Sequence, residues 1–295
     1  MASNMTGKIC MVTGASDGIG REIALGLARL GAAVVMVCRN PDKGRAATEE
    51  IRRKSPDAVL DLMLADLSSQ AQVRRLAEGF KQKYRALNVL VNNAGIVMDN
   101  RALTEDGVEM TLAVNYLAPF LLTVLLVDVL KAGSPSRIVN MTSMVHRSIH
   151  LDLDNLQGEK RYSRDQVYGQ SKLADIFLTY ELARRLQGTG VTANCVCPGA
   201  VASNIWTNSN PVINAFFKLM KGPQEGARLP LYLASSEEVE GVTGGYFQTR
   251  QNLWFEKVRT GNTACPSSRS TYDLKKSAEL WEMSKRLTGL KDTVI

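Results

Sequence analysis

The sequence predicts an α/β fold: a doubly wound parallel sheet of about seven strands with helices on both faces, in a single domain over residues 1–295. Two observations predict it. Short apolar runs alternate with amphipathic segments along most of the chain, which is typical of strands buried on both faces by helices. No internal repeat or low-complexity linker divides the chain, and one core of this size is common.

The predicted strands are the runs "ICMVTG", "AVVMVC", "AVLDLML", "NVLVNN", "RIVNMTS", "VTANCVCP" and a weaker "GGYFQ". Amphipathic helices are predicted between them, in segments such as "REIALGLARL", "GRAATEEIRRK" and "AQVRRLAEGFKQKY". The most apolar stretch, "TLAVNYLAPFLLTVLLVDVL", is interrupted by Asn115 and Pro119 and bordered by acidic residues, so it predicts a buried helix rather than a membrane span. A last helix is predicted in "KKSAELWEMSKRLTGL".

Composition argues against several functional classes. The net charge of +7 comes from scattered Lys and Arg rather than from a basic block, which argues against nucleic-acid binding. Five cysteines without CxxC spacing and only two histidines predict reduced thiols and no metal site. The N-terminus has neither the charged nor the apolar region of a signal peptide. We therefore expect a cytoplasmic protein without a membrane segment.

The loop after the first strand is the first candidate binding site, because ligands bind at the carboxyl ends of the strands in such sheets. Its glycines allow a tight turn and let backbone amides approach a pyrophosphate at the following helix N-terminus. A glycine-rich turn without a ligand is the competing interpretation. The candidate cofactor contacts in this loop are Gly14, Ser16, Asp17, Gly18, Ile19 and Gly20.

The end of the second strand distinguishes between the two nicotinamide cofactors. An NAD site has an acidic residue there, about 20 residues after the glycine loop. This chain has Arg39 instead, with Lys43 and Arg45 close by. A guanidinium attracts a 2′-phosphate, so Arg39 predicts NADP(H). For Lys43 and Arg45, solvated charges at a helix start remain the alternative.

Two further strand ends are candidate cofactor contacts. Asp66 and Leu67 follow the third strand, where the carboxylate could accept from an adenine amino group; a helix N-cap is the alternative role for Asp66. Asn93, Ala94 and Gly95 follow the fourth strand, where small residues admit a nucleotide, and turn formation is the alternative.

The stretch "YGQSK" places Tyr168 and Lys172 four residues apart in a predicted helix, so that the two side chains share a face. A neighbouring ammonium favours the phenolate and lowers the pKa of the tyrosine toward the working range. A solvated pair on a helix surface is the competing interpretation.

Together these motifs resemble the short-chain dehydrogenase/reductase family, which has a Rossmann-type fold, over roughly residues 5–250. The matching elements are "TGASDGIG", "NNAG", "AVNYLAPF", "IVNMTS", "YGQSK" and "PGAV". The stretch "NLQGEKRYSRDQVYGQSKLADIFLTYELARRLQGTGV" is similar to the retinol-dehydrogenase-like branch. That resemblance implies NADP(H)-linked interconversion of a hydrophobic alcohol and its aldehyde or ketone.

The resemblance also implies residue roles. Tyr168 would transfer the proton, Lys172 would lower its pKa and bond the nicotinamide ribose, and Ser143 would hydrogen-bond the substrate oxygen. Asn115 would shape its helix and hold a water leading toward Lys172. For Ser143 a loop cap, and for Asn115 a buried hydrogen-bonded amide, are the structural alternatives. The implied nicotinamide contacts are Pro198, Gly199, Val201 and Ser203, which stands where the family often has Thr.

The resemblance implies that residues 203–223 form a substrate lid, and their many apolar side chains suit a hydrophobic ligand; a permanently packed helix or an oligomer contact is the alternative. His146 and His150 are expected at the opposite rim. The C-terminal extension, 251–295, could cover the substrate mouth, dock on a neighbour or complete the fold. The resemblance implies a homodimer or homotetramer.

A catalytically silent NADP(H)-binding sensor or scaffold is the alternative to an enzyme. An enoyl reductase on the same fold is a second alternative, but the resemblance implies a longer separation of Tyr and Lys there than "YGQSK" has.

Overall fold

The computed structural model describes residues 4–199, 201, 222–249 and 264–291. Its centre is a seven-stranded parallel sheet in the order β3-β2-β1-β4-β5-β6-β7. All seven predicted runs form strands, so the predicted fold class is confirmed. The strands are β1 (Ile9–Thr13), β2 (Ala33–Cys38), β3 (Val59–Leu64), β4 (Val89–Asn92), β5 (Ser136–Met141), β6 (Val191–Cys197) and β7 (Tyr246–Gln248).

Helices cover both faces of the sheet, each over its own apolar cluster. α1, α2 and α8 pack on one face, and the remaining helices pack on the other. They are α1 (Gly18–Arg29), α2 (Pro41–Lys54), α3 (Gln70–Lys83), α4 (Met110–Leu112), α5 (Ala118–Leu125), α6 (Val127–Ala132), α7 (Arg164–Arg185), α8 (Pro223–Ser235) and α9 (Leu274–Thr288). A π-helical turn, Ala113–Leu117, joins α4 to α5.

The sheet order places the binding crevice. The chain runs outward from β1 to β3 on one side and from β4 to β7 on the other, so the order switches between β1 and β4. The loops that leave these two strands diverge and open a crevice at their carboxyl ends. The predicted site residues follow β1 to β6 at this edge.

The C-terminal helix α9 completes the core. The Trp281 ring packs edge-on against Phe120, with ring centroids 4.9 Å apart, and Ser284 Oγ lies 2.7 Å from the Tyr116 hydroxyl. The Arg185 guanidinium lies 4.2 Å from the centre of the Trp281 ring. Of the three roles considered for the C-terminal extension, its described part therefore completes the fold. The homodimer or homotetramer stays a prediction.

The apolar stretch around Asn115 forms α4, the π turn, α5 and α6 in the core, as predicted. Within the described ranges, no helix combines the length and apolarity needed to cross a bilayer. All five cysteines are free thiols. The predicted cytoplasmic location stays a prediction.

Candidate active site

A cavity of about 800 Å³ opens at the carboxyl ends of the strands. It brings together every predicted site residue except Asn115, which lies beside it, and Ser203, which is outside the described residues. The predicted residues that line it are Gly14, Ser16, Asp17, Gly18, Ile19, Gly20, Arg39, Asp66, Leu67, Asn93, Ala94, Gly95, Ser143, Tyr168, Lys172, Pro198, Gly199 and Val201. The predicted lid also lies outside the described residues, apart from its end at Gly222 and Pro223.

The glycine loop is shaped by close backbone packing. Gly14 has φ +67°, and a Cβ added to Gly20 would lie 2.3 Å from the Gly14 carbonyl oxygen. Asn93 Nδ2 donates to the Thr13 carbonyl at 2.8 Å, and the Thr13 hydroxyl accepts from the Asn93 and Ala94 amides. These hydrogen bonds hold the loops after β1 and β4 together. The small residues of both loops leave room for a ligand to approach the protein backbone at the cavity floor.

Two cations line the cavity beyond β2. Arg39 directly follows β2, and Lys43 lies in the first turn of α2, whose N-cap Asn40 accepts from the Lys43 amide. Across the described part of the chain, neither cation pairs with a carboxylate. Arg45 instead pairs with Asp42 at 2.5 Å and does not line the cavity. Lys43 therefore lines the cavity together with Arg39, although its side chain is exposed, whereas a solvated charge outside the site is the alternative that the sequence left open.

Asp66 is not a helix N-cap, because Ser69 caps α3. The Asp66 carboxylate accepts from the Ser68 amide at 2.9 Å and from its hydroxyl at 2.7 Å, which fixes it in the loop that lines the cavity. Of the paired asparagines, Asn92 is buried and donates to Asn140 across neighbouring strands. Only Asn93 faces the cavity.

Tyr168 and Lys172 are buried on α7, with 5% and 4% of their surfaces exposed. The solvated-pair interpretation is therefore wrong. Ser143 follows β5 and hydrogen-bonds the Tyr168 hydroxyl. Thr142, which the sequence did not single out, donates to the Lys172 carbonyl at 2.6 Å. This bond fixes the end of β5 against α7, and so fixes Ser143 relative to Tyr168.

Burial raises the pKa of Tyr168 above its ordinary value, and this effect outweighs the positive charge of Lys172 and the hydrogen bond from Ser143, which lower it. The positive charge of Lys172 lowers the pKa of Tyr168, as predicted, but the opposite effect of burial is larger. At neutral pH the Tyr168 hydroxyl is therefore protonated and able to donate a proton.

The Lys172 ammonium has two buried partners. It donates to the Met141 carbonyl and to Asp175 Oδ2, both at 2.9 Å. Burial raises the pKa of the Asp175 carboxyl to about 7, against the opposing effect of Lys172. The second carboxylate oxygen, Oδ1, is buried without a hydrogen-bond partner among the described residues. Sequence reasoning missed Asp175. Its position three residues after Lys172 on a predicted helix, where two side chains share a face, is the signal that could have indicated it.

The family model for short chain dehydrogenase matches residues 8–213. The chain belongs to the short-chain dehydrogenase family. It is 39% identical to retinol dehydrogenase 12 of Homo sapiens over 97% of this chain and 88% of that protein. It is 41% identical to retinol dehydrogenase 14 of Homo sapiens, again over 97% of this chain and 88% of that protein. The retinol-dehydrogenase-like resemblance is thereby confirmed.

Solved structures agree with the fold. An uncharacterised protein from Mycobacterium paratuberculosis superposes with a TM-score of 0.78 and 31% identity, covering 98% of this chain and 96% of that one. A Shigella flexneri protein described as a short chain dehydrogenase complexed with NADP gives 0.68 and 26%, covering 84% and 99%. The chain is thus an oxidoreductase of a family that interconverts alcohols and carbonyls and binds NAD(P)(H).

Asn115 lies in the π turn of this short-chain dehydrogenase and does not line the cavity. Its Oδ1 accepts from the Ile96 amide at 2.8 Å, and its Nδ2 donates to the Ile96 carbonyl and to Ser171 Oγ. The amide therefore connects the loop after β4 to α7, which is the structural alternative. Its predicted water-holding role stays a prediction.

His146 does not occupy the predicted rim of the site. It is fully buried, contacts the Tyr246 ring edge-on, and its Nδ1 lies 2.6 Å from the Ser143 carbonyl oxygen. It therefore supports the turn that carries Ser143. His150 is exposed, and neither histidine lines the cavity.

An apolar wall follows β4 and continues through α4 into the π turn, in the cavity that Ser143, Tyr168 and Lys172 also line. Val97, Met98, Met110 and Val114 line it. Sequence reasoning placed the substrate site between the later lid and the opposite rim before Tyr168, and so missed this wall. Because the wall residues are spread along a loop, a short helix and a π turn, no regular sequence pattern indicates them.

Proposed function

We propose that this short-chain dehydrogenase is an NADP(H)-dependent oxidoreductase that interconverts a hydrophobic alcohol and its aldehyde or ketone. One observation carries the proposal: Ser143, Tyr168 and Lys172 line the same cavity as Arg39 and Lys43. β2, which precedes the cations, and β5, which precedes Ser143, are three strand spacings apart in the sheet, or about 14 Å. An extended dinucleotide fits that arrangement, with its phosphorylated ribose at β2 and its nicotinamide at β5.

The residues present fit NADP(H) rather than NAD(H). Arg39 and Lys43 supply two cations without carboxylate partners in the described chain, where NAD(H) binding uses an acidic side chain. Asp66 is held at the adenine side of the cavity by Ser68. The close approach of Gly20 to Gly14 leaves no room for a side chain at Gly20, so that a pyrophosphate can approach the backbone amides at the start of α1.

A bound nicotinamide supplies the hydride for reduction or accepts it in oxidation. Tyr168 donates its hydroxyl proton to the carbonyl oxygen as the carbon gains the hydride, and the alcohol is formed; in oxidation the phenolate takes the proton back. Ser143 donates a hydrogen bond to the same oxygen and stabilises the charge that develops there. The positive charge of Lys172 stabilises the phenolate left on Tyr168.

The substrate is a lipophilic carbonyl, with retinoid-like aldehydes first and other lipid, steroid or xenobiotic carbonyls next. The apolar wall of Val97, Met98, Met110 and Val114 supports this class, since apolar contact favours apolar ligands. The names of the relatives, retinol dehydrogenases 12 and 14, support the retinoid.

The test is NADPH consumption by the purified protein across a carbonyl panel, from small aldehydes to all-trans-retinal, with NADH in parallel. We expect NADPH-dependent turnover that rises with substrate apolarity. Turnover of small polar aldehydes only would contradict the substrate class. Tight NADPH binding with no carbonyl reduced would instead support the sensor or scaffold.

A further inference from the structure

The carboxylate of Asp175 lies directly behind the two residues that the proposed mechanism uses. Its Oδ2 is 2.9 Å from Lys172 Nζ, and the two side chains are only 2% and 6% exposed. Among the described residues, the other hydrogen-bond partner of the Lys172 ammonium is the Met141 carbonyl. A charge pair so deeply buried acts on its surroundings with little screening by water.

The groups that face Asp175 come from three elements. Lys172 and Tyr168 belong to α7, Tyr116 to the π turn and Cys195 to β6. Burial raises the pKa of Tyr168, Tyr116 and Cys195, and the negative charge of Asp175 raises each of them further. Tyr116 and Cys195 therefore stay neutral in the working range. Within this group, Lys172 and Asp175 are therefore the charged residues that act on the pKa of Tyr168.

We propose that Asp175 is a positioning residue that holds the Lys172 ammonium in place and offsets part of its charge at Tyr168, and that it thereby sets the pH range in which Tyr168 passes from proton donor to proton acceptor. The inference rests on the proposed function, because it concerns the same proton transfer.

Its consequence is a site adjusted toward reduction. With Asp175 ionised, the attraction of Lys172 for a phenolate is weakened, and Tyr168 keeps its proton to higher pH. With Asp175 protonated, the full charge of Lys172 acts on Tyr168. Since the pKa of Asp175 is raised to about 7, this offset changes within the pH range of a working enzyme. Asp175 moves the pH dependence of the rates and leaves the reaction equilibrium unchanged.

The experiment compares Asp175→Asn with the wild type in the pH profile of kcat/KM for alcohol oxidation, whose ascending limb reports loss of the Tyr168 proton. Asparagine keeps the shape and can still accept from Lys172, but it carries no charge. We expect the ascending limb of the Asp175→Asn profile to lie about one pH unit lower than that of the wild type. The matched control is Glu181→Gln, which removes another buried carboxylate from α7, two turns away and outside the cavity. Its limb should coincide with that of the wild type.

An unmoved limb in Asp175→Asn, or an equal shift in Glu181→Gln, overturns the proposal. A second measurement does not depend on turnover: carboxyl carbon NMR of the wild type and of Asp175→Asn, both labelled at aspartate. One aspartate signal is expected to titrate near pH 7 and to be missing from Asp175→Asn. A spectrum in which every aspartate titrates at ordinary acidic pH overturns the change of the offset with pH, because Asp175 would then stay ionised throughout the working range. If the wild type reduces no carbonyl while that aspartate titrates near neutrality, the proposed function fails and the charge pair stands.

Discussion

The two halves of α7 each bury a carboxylate beside basic residues, and the two carboxylates are treated differently. Glu181 is fully satisfied: its Oε1 accepts from Arg185 Nε at 2.5 Å, and its Oε2 accepts from Arg184 and, at 2.9 Å, from Ser277 of α9. Asp175 has one side-chain partner, Lys172, and its Oδ1 has none among the described residues. The same helix therefore carries one complete network and one incomplete network.

The difference teaches where stability and chemistry lie in this protein. A complete buried network holds α7 and α9 together. Removal of one of its members would leave a buried polar group unpaired and would therefore cost stability. An incomplete pair costs stability, and such pairs are typical of functional sites, where charge must respond to a reaction. In the proposed mechanism the half of α7 near the cavity is the chemical half, and the half against α9 is the structural half.

The largest expected effect is on turnover and comes from Tyr168→Phe in the chemical half. Without the hydroxyl, no proton reaches the carbonyl oxygen, and kcat should fall by about a hundredfold to ten-thousandfold. The affinity for NADPH, followed by fluorescence titration, should stay nearly unchanged. Glu181→Gln in the structural half serves as the control and should keep wild-type turnover. Strong residual reduction in Tyr168→Phe would remove Tyr168 from the mechanism.

The next effect is on stability and comes from Trp281→Ala on α9. Trp281 is 2% exposed and contacts Phe120 and Arg185, so its truncation leaves a cavity between α9, α5 and α7. We expect the free energy of unfolding, measured with denaturant, to fall by about 3–5 kcal/mol. Leu274→Ala on the same helix is the control, because Leu274 is 64% exposed; it should change stability by less than about 0.5 kcal/mol. Equal losses in the two variants would show that α9 contributes little to the core.

A smaller effect is expected on cofactor choice, through Arg39→Asp. Loss of a charge-assisted contact to the 2′-phosphate should shift the ratio of NADPH to NADH efficiency toward NADH by about ten- to a hundredfold. Arg45→Asp is the matched control, since Arg45 pairs with Asp42 outside the cavity. A preference that does not change in Arg39→Asp would leave Arg39 without a role in cofactor selection.

The last effect is a pH dependence of stability that arises from Asp175. The pKa of Asp175 is raised in the folded chain from an ordinary value of 3.8 to about 7. A carboxyl with a raised folded pKa stabilises the fold fully below its unfolded pKa, and this contribution is lost as the pH rises through the folded value. Between about pH 4 and pH 7 the wild type should therefore lose stability relative to Asp175→Asn. Denaturant unfolding of both proteins at several pH values measures this, and a constant difference would contradict the assignment.

Much of the site was predictable because its signals are local. The run of Gly14, Gly18 and Gly20 between a strand and a helix, and the spacing of Tyr168 and Lys172, each depend on a few consecutive residues. Alternating apolar and amphipathic segments then placed these motifs at one edge of the sheet. The same reasoning placed Arg39 at the end of β2.

What escaped prediction depends on long-range packing. The sequence shows Asp175 three residues after Lys172 but does not show that both side chains are buried, since that follows from the strands and helices packed around α7. The contacts of Trp281 with Phe120 and of Ser284 with Tyr116 join residues far apart in the chain. His146 was expected at the rim of the site with the segment before Tyr168, yet its packing against Tyr246 buries it.

The position of α9 has a consequence for how the chain could be divided. The family match ends at residue 213, but Leu274–Thr288 contributes Trp281 and Ser284 to the packing of the helix pair that bears the π turn. A chain cut between residues 249 and 264 should behave as a split enzyme. The larger fragment would lack one wall of its core, and adding the short fragment as a separate peptide should restore cooperative folding by complementation.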